Sequence, residues 1–128
     1  MVESQQKSAG PDYKSLVMWQ KSMAAEKTVY GIMPQLPREE TYGMRSQLTR
    51  AVVSIPANIA EGWARETRRD TAHFLAIANS SLAETETLLP LSEELNWMTS
   101  KETENIHKLL DEVSRMLTRF RRRFRQNE

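Results

Sequence analysis

"YGMRSQLTRAVVSIPANIAEGWAR", residues 42–65, is the stretch whose reading decides the fold. Met44, Leu48, Val52, Ile55 and Ile59 recur at spacings of 4, 4, 3 and 4, the signature of one apolar helix face. The series holds its phase across Pro56, although an interior proline removes a hydrogen bond and costs roughly 3 kcal/mol. One continuous helix kinked at Pro56 explains the preserved phase, with the Val52 carbonyl left without its usual partner. The competing reading has Ser54 capping a new helix whose first turn holds Pro56.

The same period extends outward. Residues 13–32 place Leu16, Trp19, Met23 and Tyr30 on one side, and "GIMPQLPREE" ends that helix and prepares the next, giving a second helix over about 38–63. Residues 68–95 offer Phe74, Ile77, Ala78, Ser81, Leu82, Thr85, Leu88 and Leu89 as a third apolar series. Thr67 and Asp70 form a capping pair before it, and Pro90 predicts a kink or an early stop near its end. "TSKE", residues 99–102, is a capping box that opens a fourth helix over 100–124, with Ile106, Leu110, Val113, Leu117, Phe120 and Phe124 on its stripe. Four long helices with short connections predict an all-α, antiparallel up-down-up-down four-helix bundle over residues 13–125, with residues 1–12 a disordered polar tail.

The absence of cysteine excludes disulfides and thiolate chemistry, and is compatible with a cytoplasmic protein. Residues 1–10 contain no apolar core of a secretory signal, and the apolar run at 51–60 is too short to span a bilayer, so no membrane role is expected. The formal net charge of +1 conceals strong polarity. Residues 84–112 carry eight acids against Lys101 and Lys108, net −6, whereas residues 113–128 carry six arginines against Glu128, net +5. Residues 45–69 add a net +3. Such asymmetry points to charged partners.

No glycine-rich phosphate loop and no nucleophile triad can be assembled, so no enzymatic activity is expected. The pairs Glu104/His107 and Asp70/His73 resemble half-sites of a di-metal bundle, but they open the fourth and third helices. In an antiparallel hairpin those starts lie about 20–30 Å apart, so both histidines read as solvated and neither metal nor cofactor is expected.

Arg50, Ser54, Asn58, Glu61 and Arg65 form a polar stripe beside the apolar one. It reads as a solvated face with one Glu61–Arg65 pair. Alternatively it is a contact between subunits, with Asn58 and Glu61 satisfying backbone groups freed at Pro56 or hydrogen-bonding a neighbouring chain. The C-terminal Arg115, Arg119, Arg121, Arg122, Arg123 and Arg125 exceed what a helix C-terminus needs. With Arg65, Arg68 and Arg69 they are candidates for contact with nucleic acid, or else with an acidic protein surface.

Residues 42–65 resemble the four-helix-bundle family of bacterial 23S rRNA intervening-sequence proteins. Its pattern is close to E-x-Y/F-x-L-x-x-Q-x-R-R-A-x-x-S-I-x-x-N-I-A-E-G. The chain matches at Glu40, Tyr42, Gln47, Arg50, Ala51, Ser54, Ile55, Asn58, Ile59, Ala60, Glu61 and Gly62. "YKSLVMWQKSM" and "FLAIANSSLAETETLL" are similar to the family's first and third helices. Thr49, Asn79 and Pro90 depart from it, the last touching only the end of the third helix. The resemblance implies a homopentamer, no catalysis and an association with RNA. A distant branch is the accessory protein of diversity-generating retroelements, which binds a reverse transcriptase and its template RNA. Two expectations follow: an oligomer that binds structured RNA through arginine patches, with or without a reverse transcriptase, or a protein-interaction scaffold without nucleic acid. In either, the segment around Pro56 is an oligomer contact and not an active site.

Overall fold

The helix that carries Pro56 is unbroken. The computed structural model describes residues 12–125 and contains four α-helices: α1 Val17–Ile32, α2 Met44–Trp63, α3 Arg68–Glu94 and α4 Ser100–Arg125. Among the described residues there is no strand. Because α2 is helical throughout, Ser54 does not begin a new helix. Pro90 does not stop α3 either, which continues four residues further to Glu94. Residues 1–11 of the expected tail lie outside the described residues.

Two helix starts differ from the sequence expectation. Residues 13–15 form a separate 3-10 turn, and Leu16, extended at φ −74° and ψ 129°, precedes α1. The second helix begins at Met44 and not near residue 38. Arg38–Glu40 is a 3-10 turn, and the chain turns through residues 41–43 before Gly43 admits it to α2. There the Glu40 carboxylate accepts the Met44 backbone N–H at 2.9 Å and so caps the helix from outside. The other two starts agree. The Thr67 hydroxyl accepts the Asp70 N–H at 3.1 Å. Thr99 and Glu102 exchange the reciprocal bonds of a capping box, at 2.8 and 3.2 Å.

Leu48, Val52, Ile55 and Ile59 of α2 and Ile106, Leu110, Val113 and Leu117 of α4 are fully buried, as their spacing predicts. Each such side chain contributes about 1.5–3 kcal/mol relative to exposure. On α3 the buried line runs Thr71, Ala72, Leu75, Ala78, Leu82, Thr85 and Leu88–Leu89, while Phe74 and Ile77 are half-buried flanks. The face of α1 is corrected more sharply. Its core line is Met18, Ser22, Ala25 and Val29, leaving Trp19 half-buried and Met23 and Tyr30 exposed at 40% and 50%. Small residues at 22 and 25 let α1 sit close to the bundle, and the larger apolar residues are displaced onto its flank.

Cross-helix contacts fix the relative direction of three neighbouring pairs. Ser54 meets Ser81 and Gly62 meets Thr71, so α2 and α3 are antiparallel. His107 reaches Glu86 and Glu93 while Arg68 reaches Arg123, so α3 and α4 are too. Lys21 of α1 pairs with Glu112 midway along α4, and Leu16 and Met18 share a cleft with Met116 and Arg123, so α1 and α4 are antiparallel as well. At Gly62 α2 and α3 approach closely. The Thr71 hydroxyl donates to the Gly62 carbonyl at 2.8 Å, and a Cβ on Gly62 would stand 2.8 Å from the Phe74 Cβ and 3.3 Å from the Thr71 carbonyl oxygen. Gly62→Ala should therefore force the helices apart and cost about 1–3 kcal/mol in urea unfolding, well beyond a surface helix substitution.

Candidate nucleic-acid interface

Nine arginines were singled out by sequence, and the antiparallel pairings gather them at one end of the bundle. That end comprises the start of α1, the end of α2, the start of α3 and the end of α4. An aromatic cluster holds it together. Trp63 of α2 packs edge-on against Phe120 and Phe124 of α4, with ring centroids 5.6 and 5.5 Å apart, and those two rings stack at 6.3 Å. Edge-to-face pairs of this kind contribute roughly 0.5–1.5 kcal/mol beyond the area they bury.

Not all nine guanidinium groups are available to a partner. Arg68 donates to the Arg123 carbonyl at 2.9 Å and lies 5.0 Å from the Phe124 centroid, so it caps the C-terminus of α4 from α3. Arg65 pairs with Glu61 at 3.0 Å and covers Phe74 at 4.4 Å. Arg115 pairs with Asp111 at 2.9 Å, one turn back. Arg121 is half-buried. Arg69, Arg119, Arg122, Arg123 and Arg125 remain exposed, and among the described residues no carboxylate lies within ion-pair distance of any of them.

Three of these rim a cleft of about 670 Å³ between the start of α1 and the end of α4. Its lining is Ser15–Met18 on one side and Met116, Phe120, Arg119, Arg122 and Arg123 on the other. No acid lines it. Leu16 and Met18 are buried beneath it, Val17 is half exposed at its edge, and Arg123 stands 5.6 Å over the Phe120 ring.

The polar stripe of α2 is divided in use. Asn58 donates from Nδ2 to both the carbonyl and the hydroxyl of Ser54 at 2.8 Å, and the Ser81 hydroxyl of α3 donates to the same Ser54 hydroxyl at 2.8 Å. Ser54 and Asn58 are thus half-buried in a seam between α2 and α3. Asn58 satisfies the Ser54 carbonyl, not the Val52 carbonyl that faces the missing proline N–H. Pro56 is buried, while Arg50 and Glu61 are exposed.

A model of the 23S rRNA-intervening sequence protein family matches residues 14–119. The chain belongs to that family. The bundle is also similar to the crystal structure of a protein of unknown function from the S23 ribosomal protein family of Bacteroides thetaiotaomicron. The two are 26% identical, with a TM-score of 0.73, and the match covers 80% of this chain and 95% of that one. No curated protein matches the chain. Among the described residues no helix is long and apolar enough to cross a membrane.

The opposite end of the bundle is acidic and carries a site that sequence reasoning missed. His107 is not solvated. It is half-buried, with Nδ1 2.7 Å from Glu86 Oε1 and Nε2 2.9 Å from Glu93 Oε2. The two carboxylates lie on opposite sides of the ring and do not converge, and among the described residues no group of His, Asp or Glu is arranged to hold a metal ion. The seven-residue spacing of Glu86 and Glu93, two turns of α3, was the available signal. His73, the other histidine, is exposed and packs edge-on against Phe74. Also at this end, the Thr99 N–H, the Gln35 side chain and the Thr99 hydroxyl hold the Glu102 carboxyl below its ordinary range.

Partial desolvation of His107 opposes its charged form, but the hydrogen bonds and charges of Glu93 and Glu86 outweigh this and raise its pKa. A raised folded-state pKa stabilises the protein most below the ordinary imidazole value of 6.5, and the contribution is lost as pH rises past 6.5 through the folded value. Denaturant unfolding between pH 5 and 9 should show a fall in stability over that window, and His107→Gln should flatten it.

Proposed function

We propose that this protein is a non-catalytic, oligomeric RNA-binding accessory protein of the cytoplasm, and that the arginine end of the bundle is the surface that meets RNA. One observation carries the reading: five exposed arginines with no carboxylate partner among the described residues share one end, while the acid-rich end of α3 and start of α4 lie at the other. Arginine rather than lysine suits bidentate contact with phosphate. A reverse transcriptase of a retroelement is the kind of polymerase such a subunit would serve, as the family resemblance suggests.

Assembly has separate support. Trp19, Met23 and Tyr30 form an apolar flank on α1 that the bundle itself leaves largely uncovered, and burial raises the pKa of Glu26 within it. A second copy of the chain is the occupant this reading assigns to that flank, in a ring such as the pentamer implied by the resemblance. The double variant Met23→Glu/Tyr30→Glu should then run as a smaller species in native mass spectrometry. An unchanged mass would remove the flank from the interface.

The test of RNA contact is binding of a structured RNA across a salt series. The comparison variant changes Arg119, Arg122, Arg123 and Arg125 to serine and leaves the half-buried Arg121 in place. Each phosphate contact adds about 0.7–0.9 to the slope of log affinity against log salt, so the wild-type slope should flatten by roughly three in the variant. Absence of wild-type binding even at low salt would sink the RNA reading and favour the scaffold, in which these arginines pair with acidic protein such as the 84–112 segment of a neighbouring copy.

A further inference from the structure

We propose that the cleft between the start of α1 and the end of α4 receives the base of one unpaired nucleotide, with its flanking phosphates on Arg119, Arg122 and Arg123. This rests on the RNA reading above and narrows it to single-stranded RNA.

The lining carries the inference. Leu16, Val17, Met18 and Met116 supply an apolar floor and wall, and Phe120 presents part of an aromatic ring. Arg123 stands 5.6 Å above that ring, an arginine–aromatic step of the kind on which unstacked bases pack. Three cations stand at the rim and among the described residues no carboxylate lines the cleft, so the charge complement is an anion attached to a flat apolar group. A nucleotide has that form. A base inside a duplex does not, because its faces are covered by its neighbours and a floor closed by buried Leu16 and Met18 admits no stacked pair.

An acidic peptide with one large apolar side chain would meet the same chemistry at the cleft alone. The surroundings favour nucleic acid, because Arg69 and Arg125 continue the exposed cationic surface at this end of the bundle. A polymer with one charge per residue matches that extension, whereas a peptide would need a run of acids. Among the described residues Ser15 is the single uncharged polar side chain in the lining, so they offer little with which to tell one base from another. The recognition is of an unpaired base, with weak sequence preference.

The experiment uses the full chain and three probes of equal length: a single-stranded RNA with 2-aminopurine at its centre, the same strand with an abasic centre, and the blunt duplex. Val17→Trp is the variant, because Val17 is half exposed at the edge of the cleft, so an indole there fills the space without entering the core or removing charge. The intact single strand should bind at least about tenfold more tightly than the abasic strand, in line with the loss of one base stack, and its 2-aminopurine fluorescence should change on binding. Val17→Trp should reduce the intact strand to the abasic level, with the salt slope of all probes unchanged. Equal affinity for intact and abasic strands, or no response to Val17→Trp while the salt slope still falls in the four-arginine variant, would overturn the cleft and leave the RNA reading standing. No salt-dependent binding of any probe, with a glutamate-rich peptide bearing a tryptophan bound instead and displaced by Val17→Trp, would overturn both.

Discussion

The close approach of α2 to α3 is the contact on which the rest of the molecule depends. Gly62 lets the Thr71 hydroxyl reach its carbonyl at 2.8 Å, and further back along α2 Asn58 and Ser54 close a hydrogen-bonded seam with Ser81. Without a Cβ at 62 the end of α2 can lie against the start of α3, and the turn between them brings Trp63 and Arg68 to the end of α4. The aromatic cluster and the arginine end are consequences of that placement. Buried hydroxyl groups cost free energy unless paired, so the seam also favours one register of α2 on α3: a slide of one turn would break both inter-helix hydrogen bonds, Thr71 to Gly62 and Ser81 to Ser54.

Charge that is segregated along the chain becomes charge segregated along the bundle. Because α3 and α4 run antiparallel, the acidic second half of α3 and the acidic start of α4 meet at one end, where His107 sits between Glu86 and Glu93. The arginine-rich end of α4 meets Arg65, Arg68 and Arg69 at the other. Part of the positive charge is consumed internally, by Arg68 on the carbonyl of Arg123 and by Arg65 on Glu61. These two orient the end of the bundle, and the exposed arginines of α4 use that frame.

Much of the fold was legible because apolar spacing and capping chemistry are local. Both capping motifs and the continuity of α2 through Pro56 followed from residues a few positions apart. The face of α1 was not legible, because its core line is made of Met18, Ser22, Ala25 and Val29, and no local rule ranks Ser and Ala above Trp19 and Tyr30 as core residues. The size of the gap between α1 and its neighbours decides that, and the gap is a tertiary quantity. The break at residues 41–43 was hidden for a related reason: Glu40 caps α2 through its side chain from outside the helix. At the candidate interface the sequence supplied the arginines but could not say which were committed. Arg68 and Arg115 look alike in sequence, yet one caps a helix across the bundle and the other pairs one turn along its own.

The inward-facing part of the family signature and the arginine end of the bundle are therefore different parts of the molecule. Ser54, Pro56, Asn58, Ile59 and Gly62 are all drawn inward, to the core or to the seam with α3. Side chains so used cannot also bind a ligand, and what they specify is the geometry of α2 against α3. Arg119, Arg122 and Arg123 lie outside that stretch, on the last turns of α4, where no packing requirement accounts for their charge. A chain could keep the signature and its bundle while losing every arginine at that end. The charge at the end of α4 is thus free to vary among proteins that share this fold, and the binding proposed for that end rests on it rather than on the motif that marks the family.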